Sequence, residues 1–319
     1  MLKITAVFLA MSLSTPLFAC PDSCPDASLG ELQEDCPWAG IARGLATEAQ
    51  SHELSPADLK EAAPDLYAQI SRDAAQTQLK GLWGQSINYD ELAKGIILNP
   101  AILKVLSKSF QVPWISDRIA HAGMEHTYGY LFSTLKTAFG YKRARWVHGD
   151  TERGFGLPAG TLSPAAPSAG GSTLFANATF FFGKIAFRND AATLKVLVAN
   201  CTGVPKALQS FAFSSLKTIR LEETLASKNV VLRTDLVPFT VKPSETNPGT
   251  NQYLLVYSVV VDGTAKLITG FPVGQGFVDS TLNKDNLGDD KPIITRYNAF
   301  VDGISGNSFN GTRRTIVVE

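Results

Sequence analysis

Residues 252–269 read Gln-Tyr-Leu-Leu-Val-Tyr-Ser-Val-Val-Val-Asp-Gly-Thr-Ala-Lys-Leu-Ile-Thr. Tyr253 to Val261 is a run of β-branched, aliphatic and aromatic residues, and Asp262-Gly263 follows it at once. Asp-Gly suits a two-residue type I′ turn because both of its central residues need positive φ. The spacing therefore predicts a hairpin that returns through Lys266-Leu267-Ile268. The first strand is apolar on both faces, the pattern of a strand covered on both sides, so it belongs inside a sheet.

Outward from this hairpin the same period recurs. Strands are expected at 174–187, 194–200, 211–221, 230–236, 265–269, 293–301 and 315–318, with no internal repeat. Upstream, from Cys36 to about Tyr141, the period is helical. Ser55-Pro56-Ala57-Asp58 supplies an N-cap, a Pro at the first helical position and an acid in the first turn, and Pro64 ends that helix. Leu66 and Ile70 begin the next. Asn88 followed by Glu91 resembles a capping box, with Leu92 and Ile96 one turn apart. Asn99-Pro100 opens a further helix with Leu103, Leu106 and Phe110 on one face. A longer helix is expected from about Ile115 to Phe139, striped by Tyr128, Phe132, Leu135 and Phe139. The fold class is α+β: a helical region at 20–140, then a mainly antiparallel β-rich domain at 141–319. A Gly/Pro-rich stretch at 154–172 reads as a long loop or lid.

The first residues do not belong to this fold. Met1-Leu2-Lys3 is a short positive end, Ile4 to Met11 is apolar, and Leu17-Phe18-Ala19 precedes Cys20. The apolar run is about half the ~20 residues a spanning helix needs, so residues 1–19 are expected to be a signal peptide. The mature chain is then exported, with no transmembrane helix: periplasmic, an outer-membrane lipoprotein, or extracellular. Two peptidases fit the same bond. One would leave Cys20 free, and the other would acylate it as a lipid anchor, although Phe18 is a poor lipobox residue.

The 29 basic and 29 acidic residues balance. Loss of Lys3 with the leader leaves 28 against 29, a formal charge of −1, and such bulk charge recruits neither nucleic acid nor an anionic membrane. Cys20, Cys24, Cys36 and Cys201 are disulfide candidates in an oxidising compartment. With Cys20 free, two bridges are expected; with Cys20 acylated, Cys24 and Cys36 can pair and Cys201 is left single. Cys201, at the end of an expected strand, is also a candidate nucleophile, although a buried or bridged cysteine is the plainer expectation.

Two patches carry chemistry. His121, Glu125, His126, His148 and Asp150 cluster where the two regions meet. On a helix His121 and Glu125 share a face, whereas His126 is rotated about 140° from His121, which departs from the i, i+4 spacing of a helical zinc motif. The second patch is Tyr141-Lys142-Arg143-Ala144-Arg145-Trp146. Strand alternation would put Tyr141, Arg143 and Arg145 on one side, and arginine forks suit bidentate anion contacts. Tyr141, Arg143, Arg145 and Trp146 are thus candidate ligand-binding residues for an envelope glycan, lipid or protein partner. A Gly-x-Ser-x-Gly elbow, a phosphate-cradling loop and a dinucleotide fingerprint are all missing from the sequence. Residues 283–290 resemble a calcium loop but lack two ligands, and Asn177, Asn200 and Asn310 open glycosylation sequons. The leading expectation is a non-enzymatic envelope binding module with no specified cofactor. The alternative is a secreted hydrolase using the His/carboxylate group, with the loop at 154–172 as its lid.

Overall fold

The computed structural model of the chain describes residues 37–90, 93–137, 140–143, 150–162, 174–225, 230–241, 250–283, 299–301, 304–305 and 311–318. In chain order the helices are α1 (Pro37–Glu48), α2 (Pro56–Ala62), α3 (Pro64–Ala74), α4 (Thr77–Lys80), α5 (Pro100–Phe110), α6 (Ala122–Thr127), α7 (Asp150–Phe155), α8 (Leu174–Ala186), α9 (Ala191–Asn200), α10 (Lys206–Gln209) and α11 (Gln275–Leu282). The strands are β1 (Gln85–Ile87), β2 (Ile119–His121), β3 (Lys136–Thr137), β4 (Gly140–Tyr141), β5 (Ile219–Leu225), β6 (Val230–Val241), β7 (Thr250–Val261), β8 (Thr264–Gly274), β9 (Ala299–Val301), β10 (Ile304–Ser305) and β11 (Gly311–Val318). The main sheet runs β11-β5-β6-β7-β8, a smaller one β10-β9-β1-β2, and β3 pairs with β4; every named pairing is antiparallel. The architecture is α+β.

The hairpin forms as its sequence dictates. Asp262 and Gly263 adopt φ of 48° and 80°, both positive as a type I′ turn demands. β7 lies between β6 and β8, and its two faces enter two different cores. Leu254 and Val256 join the large core shared with the helices, where Trp38, Leu59, Leu103, Phe110 and Phe175 also lie. Leu255, Tyr257 and Val259 join a second cluster on the opposite face, with Leu232, Leu236, Ile268 and Val278 of α11. Helices and sheet thus share a continuous apolar interior.

The capping signals at Ser55 and Asn99 also hold. Ser55 Oγ accepts from the Ala57 amide at 3.3 Å, and Asp58 Oδ2 accepts from the Ser55 amide at 2.7 Å, closing the capping box. Asn99 Oδ1 accepts from the Ala101 amide at 2.9 Å, and Leu103, Leu106 and Phe110 are buried.

Several expectations are corrected. The segments at 174–187 and 194–200 are helices α8 and α9, not strands. Along α8 every residue except Lys184 is buried, so its apolar run has no polar face to reveal a period, and only its length argued for a helix. α9 is capped by Asp190, whose carboxylate accepts from the Thr193 amide at 3.0 Å. The long helix at 115–139 is instead β2, α6, a 3-10 turn at Gly129–Phe132 and β3. Two glycines mark where its packing is tightest: an added Cβ on Gly123 would lie 2.7 Å from Trp83 and Phe175, and one on Gly129 2.7 Å from Leu98. Asn88 starts no helix. Its Nδ2 donates to the carbonyls of Leu98 and Asp117, and its Oδ1 accepts from the Leu98 amide, so it cross-braces two loops from inside. The segment at 211–221 becomes strand only from Ile219, after a 3-10 turn at Phe213–Ser215. At 154–172, Gly154 and Phe155 complete α7, and residues 163–172 lie outside the described residues.

Two joints hold helices to the sheet. β8 is an edge strand, and on its outer side the Gly84 amide donates to the Leu267 carbonyl while the Leu267 amide donates to that of Leu82, both at 2.8 Å. The Ala122 amide donates to the Gly84 carbonyl, and Trp83 Nε1 donates to Thr179 Oγ1 at 2.9 Å, so residues 82–84 touch β8, α6 and α8 together. Pro272, which has no amide hydrogen to offer, lies further along the same edge strand. The second joint is ionic. Arg220 on β5 grips both oxygens of Asp235 on β6, at 2.8 and 3.1 Å, and Arg188 reaches Asp235 Oδ1 at 2.7 Å. The same two arginines donate to the carbonyls of Ala186 and Ile185 at the end of α8, where positive charge suits the helix dipole.

The α8–α9 contact gives a direct test of packing. A Cβ on Gly183 would lie 2.8 and 3.0 Å from the two methyls of Leu197, the one fully buried residue of α9. Gly183→Ala is expected to lose about 1–3 kcal/mol of stability in urea unfolding, outweighing the helix propensity Ala would add. Pairing it with Leu197→Ala should recover part of the clash.

Candidate functional site

The junction residues come together around α6. β1 and β2 pair Ser86 with Ala120 and Gln85 with His121, which places His121 at the N-cap of α6. Both of its ring nitrogens are engaged: Nδ1 accepts from the Met124 amide at 3.3 Å, and Nε2, carrying the proton, donates to the Lys80 carbonyl at 3.0 Å. Loss of water on burial pulls its pKa down to about 4, so the ring is neutral at physiological pH. His121 is a helix cap whose ring has no nitrogen left for a metal or a substrate.

One turn further, Glu125 is wholly inside the protein. The Ser86 hydroxyl donates to its Oε2, and its Oε1 has no hydrogen-bond partner. Desolvation pushes the carboxyl up to about 7, against the opposing pull of the Lys142 ammonium. His126 is buried beside it, with its ring edge-on to Tyr130 at 4.6 Å.

Lys142 and Arg143 follow β4 in a turn, so the strand alternation expected across 141–146 is broken at 142–143. Both cations are turned inward. Lys142 Nζ lies 3.2 Å from Asp90 Oδ2 and 5.1 Å above the Tyr130 ring, and Arg143 Nη1 donates to the Ser133 carbonyl at 2.8 Å. A buried cation needs such partners, and these supply them. The surface ligand role expected for Arg143 is therefore corrected: at 2% exposure it is an anchor.

The other flank is fixed as well. α7 buries Thr151 and Glu152, and Glu152 Oε1 accepts from the Leu162 amide at 2.7 Å. Arg145, Trp146 and His148 lie between the two flanks, outside the described residues, as does the side chain of Asp150. The structure thus assembles Ser86, Glu125, His126, Tyr130 and Lys142 into a buried polar cluster, with Asp90 at its partly exposed edge. Ser86, Asp90 and Tyr130 carried no signal in the sequence, because nothing in their spacing shows that β1 and the turn after β4 meet at α6.

Among the described residues no group of His, Cys, Asp and Glu has the arrangement of a metal site, and no helix is long and apolar enough to cross a membrane. Cys201 is buried at the end of α9, its thiol pushed up to about 12 by desolvation, which leaves it protonated and unreactive. Cys20, Cys24 and Cys36 lie outside the described residues, as do residues 284–290 of the calcium-like turn and Asn310. Asn177 is buried in α8 and donates to the Thr161 carbonyl, so that sequon is closed in the folded chain. A shallow hollow of about 410 Å³ lies between residues 49–54 and α5, but its charges are spent on one another: Glu53 bridges Lys104 and Lys108 at 2.9 and 2.8 Å.

Set beside known protein families, curated proteins and solved structures, the chain matches none.

Proposed function

We propose that this is an exported envelope protein without catalytic activity, which binds an anionic glycan through Arg145 and Trp146. The observation that carries the reading is the anchoring on either side of residues 144–149. Lys142 and Arg143 are held inside on one flank, and Glu152 is held by Leu162 on the other. Preorganising the ends of a short segment lowers the entropy it loses on binding. The six residues between contain a cation next to an indole, a pair suited to a carboxylated or sulfated sugar, since the guanidinium forks onto the anion while the ring covers the sugar face. The hydrolase alternative loses ground because His121 is committed as a cap and solvent does not reach Glu125.

The test is retention of the exported protein on immobilised carboxylated and sulfated polysaccharides. Arg145→Ala with Trp146→Ala is expected to weaken retention at least tenfold and to flatten its salt dependence, with unfolding unchanged. Unaltered retention would remove the proposal. The intact mass of the same preparation should begin at Cys20, with or without acyl chains; a mass that still includes residues 1–19 would overturn export.

A further inference from the structure

The fold bears on a count that the sequence leaves open. Cys201 is the C-cap residue of α9, packed against α8 at 5% exposure, and its thiol donates to the Ala176 carbonyl at 3.8 Å. Its sulfur is in no disulfide. A bridge would need a second sulfur about 2 Å away and a second Cα within about 7 Å. Cys36 is bonded to Pro37 of α1, which packs on α2, α5 and the 3-10 turn at Gly129–Phe132, whereas α9 packs on α8 and α4. The four cysteines therefore divide as one and three, and not as two pairs.

Three thiols cannot all pair with one another. In an oxidising compartment the odd one is left reactive, bridged to another chain, or modified. Of Cys20, Cys24 and Cys36, only Cys20 follows the expected cleavage point. Leu17 stands three residues before that bond, where an ordinary leader peptidase takes a small side chain, as in Ala-x-Ala. A lipobox has Leu at that place. Phe18 thus counts against acylation and Leu17 for it, and the cysteine count decides between them.

We infer that Cys20 carries a diacylglyceryl thioether and that Cys24 pairs with Cys36, so that the chain is anchored to a membrane by its first mature residue. The inference rests on the export proposed above. Its chemistry balances without redox at Cys20. The thiolate attacks the terminal glyceryl carbon of phosphatidylglycerol, a C–S bond replaces the C–O bond to phosphate, glycerol phosphate leaves, and the thiol proton goes to solvent. Water then cleaves the Ala19–Cys20 peptide bond. Cys24 and Cys36 give two electrons and two protons to an exported thiol–disulfide oxidant, whose own disulfide becomes a dithiol. Two acyl chains supply the stable anchoring that one chain does not. The bridge also sets the tether: extended chain spans at most about 3.5 Å per residue, so closing Cys24 onto Cys36 cuts the reach from Cys20 to α1 from about 60 Å to about 25 Å.

The experiment expresses the full chain with its leader in an export-competent bacterium, denatures and alkylates the detergent extract without reduction, and weighs its tryptic peptides. Lys and Arg are absent between Cys20 and Arg43, so one peptide carries all three amino-terminal cysteines, and Cys201 lies in another, 196–206. Peptide 20–43 is expected to be heavier by a diacylglyceryl group, lighter by two hydrogens and free of alkyl label, while peptide 196–206 takes one label. Cys201→Ala is expected to leave peptide 20–43 unchanged in mass. An unacylated Cys20, whether labelled, bridged within the chain or bridged to a second copy, overturns the inference while leaving export intact. Peptide 20–43 linked to 196–206, or a new label on it in Cys201→Ala, overturns it too. A chain that still includes residues 1–19 removes export and this inference together.

Discussion

Asp235→Ala should lower the free energy of unfolding by about 3–5 kcal/mol, the range seen when one partner of a buried ion pair is removed. Asp235 is completely buried and answers two guanidinium groups at once, Arg220 with 4% of its side chain exposed and Arg188 with 20%. Without it the buried Arg220 guanidinium is left against the Ala186 carbonyl, and a carbonyl dipole offsets only part of the desolvation cost. The joint between the end of α8 and strands β5 and β6 should loosen as a unit. Guanidinium chloride unfolding measures this as a fall in midpoint at unchanged slope. Arg233→Ala is the internal control: its partner Glu222 lies 2.8 Å away, but both side chains are a quarter or more exposed, so about 0–1 kcal/mol is expected. A loss no larger at Asp235 than at Arg233 would contradict this account of the joint.

The second large effect is a pH dependence centred on Glu125. Its carboxyl titrates near 7 in the folded protein against an ordinary 4.5, chiefly because burial strips it of water. Between those two values the folded chain keeps a proton that the unfolded chain has released. The stabilisation is complete below about 4.5 and is lost as the pH rises through 7, amounting to on the order of 3 kcal/mol. The groups around the carboxyl set the sign. Lys142 favours the ionised form, but Asp90 shares that ammonium, and the Ser86 hydroxyl reaches only one of the two oxygens. Glu125→Gln keeps the shape and cannot ionise. Unfolding midpoints followed from pH 4.5 to 8 should fall for the wild type and change less for the variant, so that the curves separate towards alkaline pH. Parallel curves would show that Glu125 does not titrate in this range.

The parts of the fold legible in the sequence are those whose signal is local. Asp262-Gly263 needs only its own backbone to turn, and Ser55 and Asn99 cap with atoms two or three residues away. The apolar character of β7 on both faces announced two cores before either could be named. What failed was decided by distant partners. α8 has no polar side, because the sheet, α6 and α9 surround it, so its period was unreadable. The stretch from Ile115 to Phe139 has a helical stripe, and Tyr128 and Phe132 are indeed buried, but β1 claims residues 119–121 as a strand partner. At the junction, the proximity of His121, Glu125 and His126 was readable, but their roles were not. A histidine cap and a buried acid differ from a catalytic pair only by what the Lys80 carbonyl and Ser86 do to them. Lys142 and Arg143 looked like surface charge for the same reason, since Asp90 and the Ser133 carbonyl lie far from them in the chain or outside any motif.

The backbone bonds that join Leu267 to Leu82 and Gly84 also bear on when the protein can fold. Lys266 reaches the Gly81 carbonyl from 185 residues away, and the core containing Trp38 and Leu103 also takes in Leu254, Val256 and Leu267. A ribosome delivers the helical region first, yet that region lacks part of its interior until the last long hairpin has been made. Contacts so far apart in the chain make for slow closure and a prolonged interval of apolar exposure. The nascent amino-terminal part is thus left waiting, for most of its synthesis, in the condition that chaperones recognise.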